Sequence, residues 1–263
     1  MADPQRDLDP EEILLLAADA ARIVLESGGE TYRAEETATF VVVALGGAEA
    51  ECYATPTGVT LSFAGVDGRV HTILRRIKRR SMNLERIALV SSLSRSIVAG
   101  EVDFDEASAE LCRIEGRRGA GAVASSLAAI AGAGFFALLF GGKWNDALVA
   151  GAVGALVSRF PPIMNARQIP DFFTNLVAAA GTAALCLAAK TIGLASTADA
   201  TIIGVLMLLV PGVAITNAIR DTIAGDLVAG VARAADAFMS AAALAAGAGM
   251  AYWLWGIALG GSS

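Results

Sequence analysis

Three polar residues are spaced so that they would lie on one face of a helix: Asn217, Arg220 and Asp221. Side chains at i, i+3 and i+4 are neighbours on a helical surface. An arginine can hold a carboxylate through charge-assisted hydrogen bonds, an aspartate can hold an ammonium group, and an asparagine can orient a hydroxyl. The trio therefore has the groups that would bind a small zwitterion.

The same charges allow two other interpretations. A dicarboxylate would be held more naturally by two cations, Arg220 and Arg233. Alternatively, the residues form a polar connector between two apolar segments. In that case Arg220 and Asp221 are solvated, and Asp226, which follows Gly225, is an ordinary N-cap of the next helix.

The trio belongs to a stretch, residues 208–239, that is apolar at its start and charged in its middle. Pro211 and Gly212 interrupt the apolar run, and a proline in a membrane helix leaves a carbonyl that needs protein or water as a partner. Ionisable groups beside such a break are costly in lipid and predict a site on a transport path, where Asp221 or Asp226 would carry a coupling proton. The predicted substrate-binding residues are Pro211, Gly212, Thr216, Asn217, Arg220, Asp221, Asp226, Arg233 and Asp236.

A second polar patch lies near the start of the chain, around Gly28 and Gly29. It consists of Glu26, Glu30, Tyr32, Arg33, Glu35 and Glu36. One interpretation is the capped and solvated end of a helix. The other is a gate or sensor below the transport path, formed by Glu30, Tyr32, Arg33 and Glu35.

The elements that must position these residues divide the chain into two parts of different composition. Residues 1–118 hold 14 of the 20 Lys/Arg and 20 of the 26 Asp/Glu, whereas residues 119–263 hold only six of each in a chain that is 55% hydrophobic. This contrast predicts a soluble domain, residues 1–118, followed by a transmembrane helical domain, residues 119–263. The acidic balance argues against nucleic acid as a partner.

Residues 1–118 have the periodicity of an α+β domain. We expect helices over 11–27, 31–45, 84–99 and 103–116, and an antiparallel meander of strands over 50–55, 58–64 and 69–77 with turns at Pro56–Gly58 and Val66–Gly68. The basic run Arg75, Arg76, Lys78, Arg79 and Arg80 is either a solvated strand end or a surface that attracts anionic membrane lipid.

Residues 119–263 predict an integral membrane α-helical bundle of about five spans, of which the fourth is broken at Pro211. The expected spans are 119–142, 145–161, 172–190, 200–219 and 236–259. Lys and Arg are concentrated on the side of the N-terminal domain, which places that domain in the cytoplasm. We find no second copy of this bundle within residues 119–263, so a companion chain or a second copy of this chain is expected to supply the other half of a transporter.

Residue types that catalysis or metal binding would need are scarce. The single histidine and three unpaired cysteines have no metal-ligand spacing, and no ordered Ser/His/Asp set is present. We therefore expect no catalytic residues, no metal and no cofactor, although a membrane-anchored enzyme or a scaffold remains a further alternative.

Four motifs of the chain resemble the threonine/serine exporter family, and the likeness extends from about residue 13 to 258. In this sequence they are Glu26–Glu36 (ESGGETYRAEE), Thr55–Gly58 (TPTG), Arg79–Leu84 (RRSMNL) and Val210–Asp221 (VPGVAITNAIRD) with Ala224–Asp226 (AGD). The last motif is the most specific, because it joins Pro-Gly, Thr-Asn, Arg-Asp and Gly-Asp elements in one order.

The resemblance implies a secondary-active exporter of threonine/serine-type amino acids in the bacterial inner membrane, driven by the proton motive force. In this family a long form fuses two membrane halves. This chain is similar to the larger subunit of a split form, which pairs with a small membrane subunit and in some members is associated with succinate export. Dicarboxylate export is therefore the alternative function, and a companion subunit or a homo-oligomer is expected.

Overall fold

The computed structural model describes residues 8–65, 68–78, 80–117, 119 and 121–258. The predicted turn residues Val66 and Asp67, Arg79 of the basic run, and Arg118 at the predicted domain boundary lie outside these ranges. The structure is mostly helical, with one small sheet near the N-terminus. In chain order its elements are α1 (Pro10–Glu26), α2 (Thr31–Ala44), β1 (Ala48–Thr55), β2 (Gly58–Ala64), β3 (Val70–Arg76), α3 (Leu84–Val98), α4 (Phe104–Gly116), α5 (Ala122–Leu139), α6 (Trp144–Val157), α7 (Phe160–Ala166), α8 (Asp171–Thr191), α9 (Ala198–Leu206), α10 (Gly212–Ala224) and α11 (Leu227–Ala258).

The chain forms two compact units. The first contains the residues up to Gly119 together with Val213–Ala234, and the second contains Ala120–Gly212 together with the residues from Ala235 onward. The sequence-based division placed residues 213–234 in the membrane domain. In the structure they pack within the first unit, because the polar side chains of α10 and early α11 find their hydrogen-bond partners there.

The first unit is built on α1. Asp9 accepts a hydrogen bond from the Glu11 N–H and caps the helix, and Pro10 opens the first turn. Most of the helix is buried, with ten of its side chains in the core. The predicted helices and the antiparallel meander β1-β2-β3 are confirmed, and the sheet turns Val59, Leu61 and Phe63 of β2 into the same core.

The second unit contains the apolar helices. By length and composition, four segments could cross a membrane: Ala122–Leu139, Trp144–Ala166, Asp171–Thr191 and Leu227–Ala258. The chain is therefore a helical membrane protein.

The predicted fourth span, residues 200–219, is two separate helices in the structure, so the count of five is not confirmed. α9 ends at Leu206 and α10 begins at Gly212. In a continuous helix the ring of Pro211 would clash with the carbonyl of the residue four positions earlier, Met207, and Met207 is the C-cap that follows the last residue of α9.

One buried carboxylate has a structural role within the second unit. Asp146 is fully buried, and its carboxylate accepts from the N–H groups of Lys143 (2.8 Å), Ser196 (2.6 Å) and Thr197 (2.9 Å). This carboxylate therefore fixes the loop between α8 and α9 to the start of α6. A buried carboxylate that accepts from three backbone N–H groups is typical of a structural role.

Candidate functional site

The corner between α1 and α2 is shaped by two glycines. Gly28 has a φ of +85°, which a residue with a Cβ rarely adopts, and a Cβ on Gly29 would lie 2.5 Å from Val24 Cγ1. The N–H groups of Ser27, Gly28 and Gly29 close the end of α1 by bonding to Ile23, Leu25 and Val24. The carbonyls of Gly28 and Gly29 remain available to accept hydrogen bonds from another element.

Helices α10 and α11 supply the donors. Asn217 Nδ2 donates to the Gly28 carbonyl, and Arg233 Nη2 donates to the Gly29 carbonyl, each at 2.8 Å. Both side chains are buried. The predicted site residues on these helices are therefore joined directly to the second polar patch of the sequence.

Asp221 is the centre of this arrangement and is fully buried. Its Oδ1 accepts from the backbone N–H of Thr31 at 3.1 Å, and its Oδ2 accepts from Thr31 Oγ1 at 3.0 Å. Arg233 Nε lies 2.8 Å from Oδ2, as an ion pair whose N–H does not point directly at the oxygen. Because Thr31 is the first residue of α2, the carboxylate accepts a hydrogen bond from an N–H that the helix itself leaves unpaired.

Arg220 lies at the edge of the cluster and is more than half exposed. Its Nη1 donates to Glu30 Oε1 at 2.6 Å, while Arg33 Nε lies 3.1 Å from the other oxygen, Oε2. One carboxylate is thus shared by two guanidinium groups. We name the set Glu30, Thr31, Asn217, Arg220, Asp221 and Arg233, together with the Gly28 and Gly29 carbonyls, the corner cluster.

The acids around the cluster have pKa values that are shifted in different directions, lowered for Glu30 and raised for Glu35 and Asp226. Burial works to raise the pKa of Glu30, but its own backbone N–H, the hydrogen bond from Arg220 and the charge of Arg33 outweigh it, so the pKa is lowered. Burial raises the pKa of Glu35, and the negative charges of Asp226 and Asp221 add to that rise. The pKa of Asp226 is raised by burial and by Asp221. Glu35 and Asp226 are therefore better proton acceptors than ordinary carboxylates.

A groove of about 700 Å³ lies between α2 and β1. Its lining includes Tyr32, Glu35, Glu36, Glu51 and Tyr53. The Glu35 carboxylate also accepts from the Ala54 N–H at 2.8 Å, which ties α2 to the edge strand. Two of the four residues predicted as a gate, Tyr32 and Glu35, thus line the groove, whereas Glu30 and Arg33 belong to the ion pairs of the corner.

The structure brings together only some of the predicted substrate-binding residues. Asn217, Arg220, Asp221 and Arg233 meet in the corner cluster, and Asp226 precedes α11 in the same unit. Thr216 is exposed on α10, while Pro211, Gly212 and Asp236 belong to the second unit. The groups that sequence reasoning missed are Thr31 and the two glycine carbonyls. The glycine pair next to a helix start was the available signal.

The acceptors and donors of the corner cluster can bind the carboxylate, N–H and hydroxyl groups of a ligand. Within the described residues no group of three or more His, Cys, Asp or Glu side chains is arranged to bind a metal ion. The three cysteines are free thiols, of which Cys186 is buried and Cys112 exposed. The arrangement favours recognition of a polar solute or a switch of conformation.

Comparison with known proteins agrees with the motifs. Residues 15–255 match the model of a family described as "Putative threonine/serine exporter". A curated protein of Mycobacterium tuberculosis (strain ATCC 25618 / H37Rv), named "Probable threonine/serine exporter", is 27% identical over 245 residues, which cover 92% of this chain and 46% of that protein. The chain thus spans about half the length of the curated relative it matches. No solved structure matches.

Proposed function

Because the chain belongs to the threonine/serine exporter family, we propose that it is a secondary-active exporter subunit for small amino acids such as threonine and serine. Membership of an exporter family supports transport rather than catalysis, and the apolar helices supply a membrane domain. The observation that carries the proposal is the buried Asp221, with Arg220 and Arg233 on the same pair of helices. Together they offer an acceptor for an ammonium group and donors for a carboxylate.

The contacts of the arginines favour a zwitterion over a dicarboxylate. A dianion would need both guanidinium groups, but Arg233 already contacts Asp221 and the Gly29 carbonyl. It would also bring a carboxylate close to the buried charge of Asp221, where like charges repel strongly. An amino acid avoids this repulsion, since its ammonium group can face Asp221 while its carboxylate faces Arg220.

The coupling ion in this proposal is a proton, taken up by Glu35 or Asp226. Both carboxyls have raised pKa values because of burial and the nearby Asp221 charge. Such groups change protonation closer to physiological pH than free carboxyls do. Their position in the first unit would let proton binding act on the same elements that form the corner cluster.

The exporter further requires a second membrane component, either a small companion chain or another copy of this chain. Transporters are commonly built from two repeats around a central site, and residues 119–263 contain no second copy. We propose a place in the bacterial inner membrane, and the distribution of Lys and Arg around the apolar segments supports an N-terminal domain in the cytoplasm. The exposed side chains of Arg76, Lys78 and Arg80 would face anionic membrane lipid.

Efflux measurements test this function. Cells are loaded with labelled threonine, serine or succinate and express the chain alone or with a small membrane protein of four or five apolar helices from the same genome. We expect threonine and serine efflux with the companion, its loss in Asp221→Asn, and its collapse when the proton gradient is dissipated. Efflux of succinate alone would establish the dicarboxylate alternative. No efflux of any label from a correctly inserted complex would contradict the exporter proposal.

A further inference from the structure

Thr31 presents to Asp221 the same kinds of groups as a free hydroxy amino acid. Its backbone N–H donates to Asp221 Oδ1 at 3.1 Å and its hydroxyl donates to Oδ2 at 3.0 Å. Both residues are completely buried. The backbone N–H and the hydroxyl of Thr31 therefore each bond to one oxygen of the Asp221 carboxylate, on the side that faces α2.

The residue before Thr31 supplies the third group. The Glu30 carboxylate accepts from Arg220 Nη1 at 2.6 Å. Two adjacent residues of the chain thus offer an N–H, a hydroxyl and a carboxylate to one aspartate and one arginine. Serine and threonine carry an ammonium group, a hydroxyl and a carboxylate on three consecutive carbon atoms, which is the same set of groups in a smaller molecule.

We propose that Glu30 and Thr31 occupy the amino-acid binding site of this exporter as an internal substitute for the substrate, and that a β-hydroxy amino acid displaces them during export. This inference rests on the proposed function, since it assigns the ligand groups of the same site. In the structure the site is closed by its own chain. Binding of the solute and opening of the α1–α2 corner are then one event.

The contacts around Glu30 provide a route for the exchange. Arg220 is more than half exposed, so the carboxylate of an incoming solute can reach its guanidinium from water. Glu30 does not lose all its partners when Arg220 turns away, because Arg33 Nε lies 3.1 Å from Glu30 Oε2. The ammonium group then replaces the neutral Thr31 N–H at Asp221, and a charged donor forms the stronger hydrogen bond.

The exchange also sets specificity. A solute with a hydroxyl restores the hydrogen bond that Thr31 Oγ1 makes to Asp221 Oδ2, whereas alanine leaves that oxygen without its donor. An unsatisfied buried acceptor is expensive, so alanine should open the corner less readily than serine does. Occupancy of the site by Glu30 and Thr31 has a second effect. It lowers the apparent affinity for the solute, because only the open fraction of the molecules can bind it.

The test compares Thr31→Val with Thr31→Ser in the full chain under the conditions that give export. Valine has the shape of threonine without its hydroxyl, so it weakens the internal occupant. We expect the half-saturating concentration of threonine to fall about tenfold or more, the effect of one hydrogen bond to a charged group. Thr31→Ser should stay near the wild-type value. A lower maximal rate in Thr31→Val with an unchanged half-saturating concentration would overturn the inference and leave Thr31 as a purely structural cap.

A second measurement does not depend on transport. Hydrogen exchange of the purified full chain follows the amides of residues 30–34 with added serine, with added alanine and without ligand. Displacement predicts faster exchange with serine than with alanine. Unchanged or slower exchange with serine would overturn the inference. A wild-type complex that exports no amino acid contradicts the proposed function, whereas a serine-dependent opening of this segment would still support the binding site.

Discussion

Thr31 and Asp221 lie 190 positions apart in the sequence, and yet both donors of Thr31 bond to the two carboxylate oxygens of Asp221. The side chain of Glu30 makes no capping hydrogen bond at the start of α2. Asp221 therefore acts as the cap of α2 from another part of the chain, and its negative charge lies at the positive end of the helix dipole. The pair makes the N-terminus of α2 depend on α10.

Breaking the Asp221–Arg233 pair from either side should destabilise the protein strongly. Asp221→Ala leaves Arg233, which is only 5% exposed, without its counter-ion, and such changes cost about 3–5 kcal/mol. Arg233→Met should cost a similar amount, because it leaves the Asp221 charge buried. The midpoint of thermal unfolding in detergent measures both.

The double variant Asp221→Ala, Arg233→Met separates the ion pair from the rest of the cluster. We expect its loss of stability to be smaller than the sum of the single variants, because the second substitution removes a charge that the first left unpaired. Additive losses would show that the two side chains contribute independently. Arg113→Met, which breaks an exposed pair with Glu110, serves as the control and should change the midpoint little.

The glycine corner allows a matched test of backbone packing. A Cβ on Gly29 would lie 2.5 Å from Val24 Cγ1 and 2.9 Å from the Val24 carbonyl oxygen. Gly29→Ala should therefore lower the unfolding midpoint, since the corner must shift before Asn217 and Arg233 can bond to its carbonyls. Gly116→Ala, at the end of α4 with open space around the added carbon, is the control. Equal effects of the two substitutions would contradict the close packing of the corner.

The local structure was more predictable than the cluster. Capping signals, such as Asp9 before Pro10, and alternating strand residues, such as Val59 and Leu61, mark their elements within a few positions of the chain. The charges of α10 also stood out, because ionisable residues beside an apolar run need partners. Their partners are carbonyls and an N–H of the α1–α2 corner, and backbone groups carry no sequence signal of where a distant side chain will bond.

The break near Pro211 illustrates what periodicity alone misses. The predicted fourth span, residues 200–219, has the length of a membrane crossing, and the sequence predicts a break in it at Pro211. The structure separates α9 from α10 by five residues, because α9 ends just before Met207, whose carbonyl would clash with the proline ring in a continuous helix. α10 then packs in the first unit, since Asn217 and Asp221 gain hydrogen bonds there that an apolar surrounding could not offer.

The contributions of Glu35 and Glu30 to the stability of the protein should change with pH in opposite directions. The folded pKa of Glu35 is raised, chiefly by burial, so the native state binds a proton more tightly than the unfolded chain does, and stability falls as pH rises from the ordinary glutamate pKa through the raised value. Glu35→Gln keeps an oxygen for the Ala54 N–H and removes that loss. Its unfolding midpoint should therefore decline less than the wild-type midpoint over this range.

Glu30 has a lowered folded pKa, because its backbone N–H, Arg220 and Arg33 outweigh burial. Its contribution to stability is present above the ordinary glutamate pKa and is lost as pH falls through the lowered folded value. Glu30→Gln should thus be less stable than the wild type at neutral pH and approach it in acid. Unfolding midpoints of both variants and the wild type are recorded over a pH series. The midpoint of the variant minus that of the wild type should rise with pH for Glu35→Gln and fall with pH for Glu30→Gln. Changes of the same sign would contradict the assignment.

The contact between α10 and α11 gives the last prediction. A Cβ on Gly230 would lie 2.2 Å from Thr222 Oγ1 and 3.1 Å from the Ala218 carbonyl oxygen. The Thr222 hydroxyl has little freedom to move, because it donates to that same carbonyl at 2.7 Å. Gly230→Ala should therefore push the two helices apart, move Arg233 away from Asp221, and reduce both stability and export.

Removing the hydroxyl tests that steric cause directly. Thr222→Ala in the Gly230→Ala background takes away the closest atom, so the double variant should recover much of the lost stability, although the Ala218 carbonyl remains 3.1 Å from the added carbon. Gly249→Ala, in the same helix with nothing within 4 Å, should be neutral or slightly stabilising. If the double variant were no better than Gly230→Ala alone, the Thr222 hydroxyl would not be the atom that forces α10 and α11 apart.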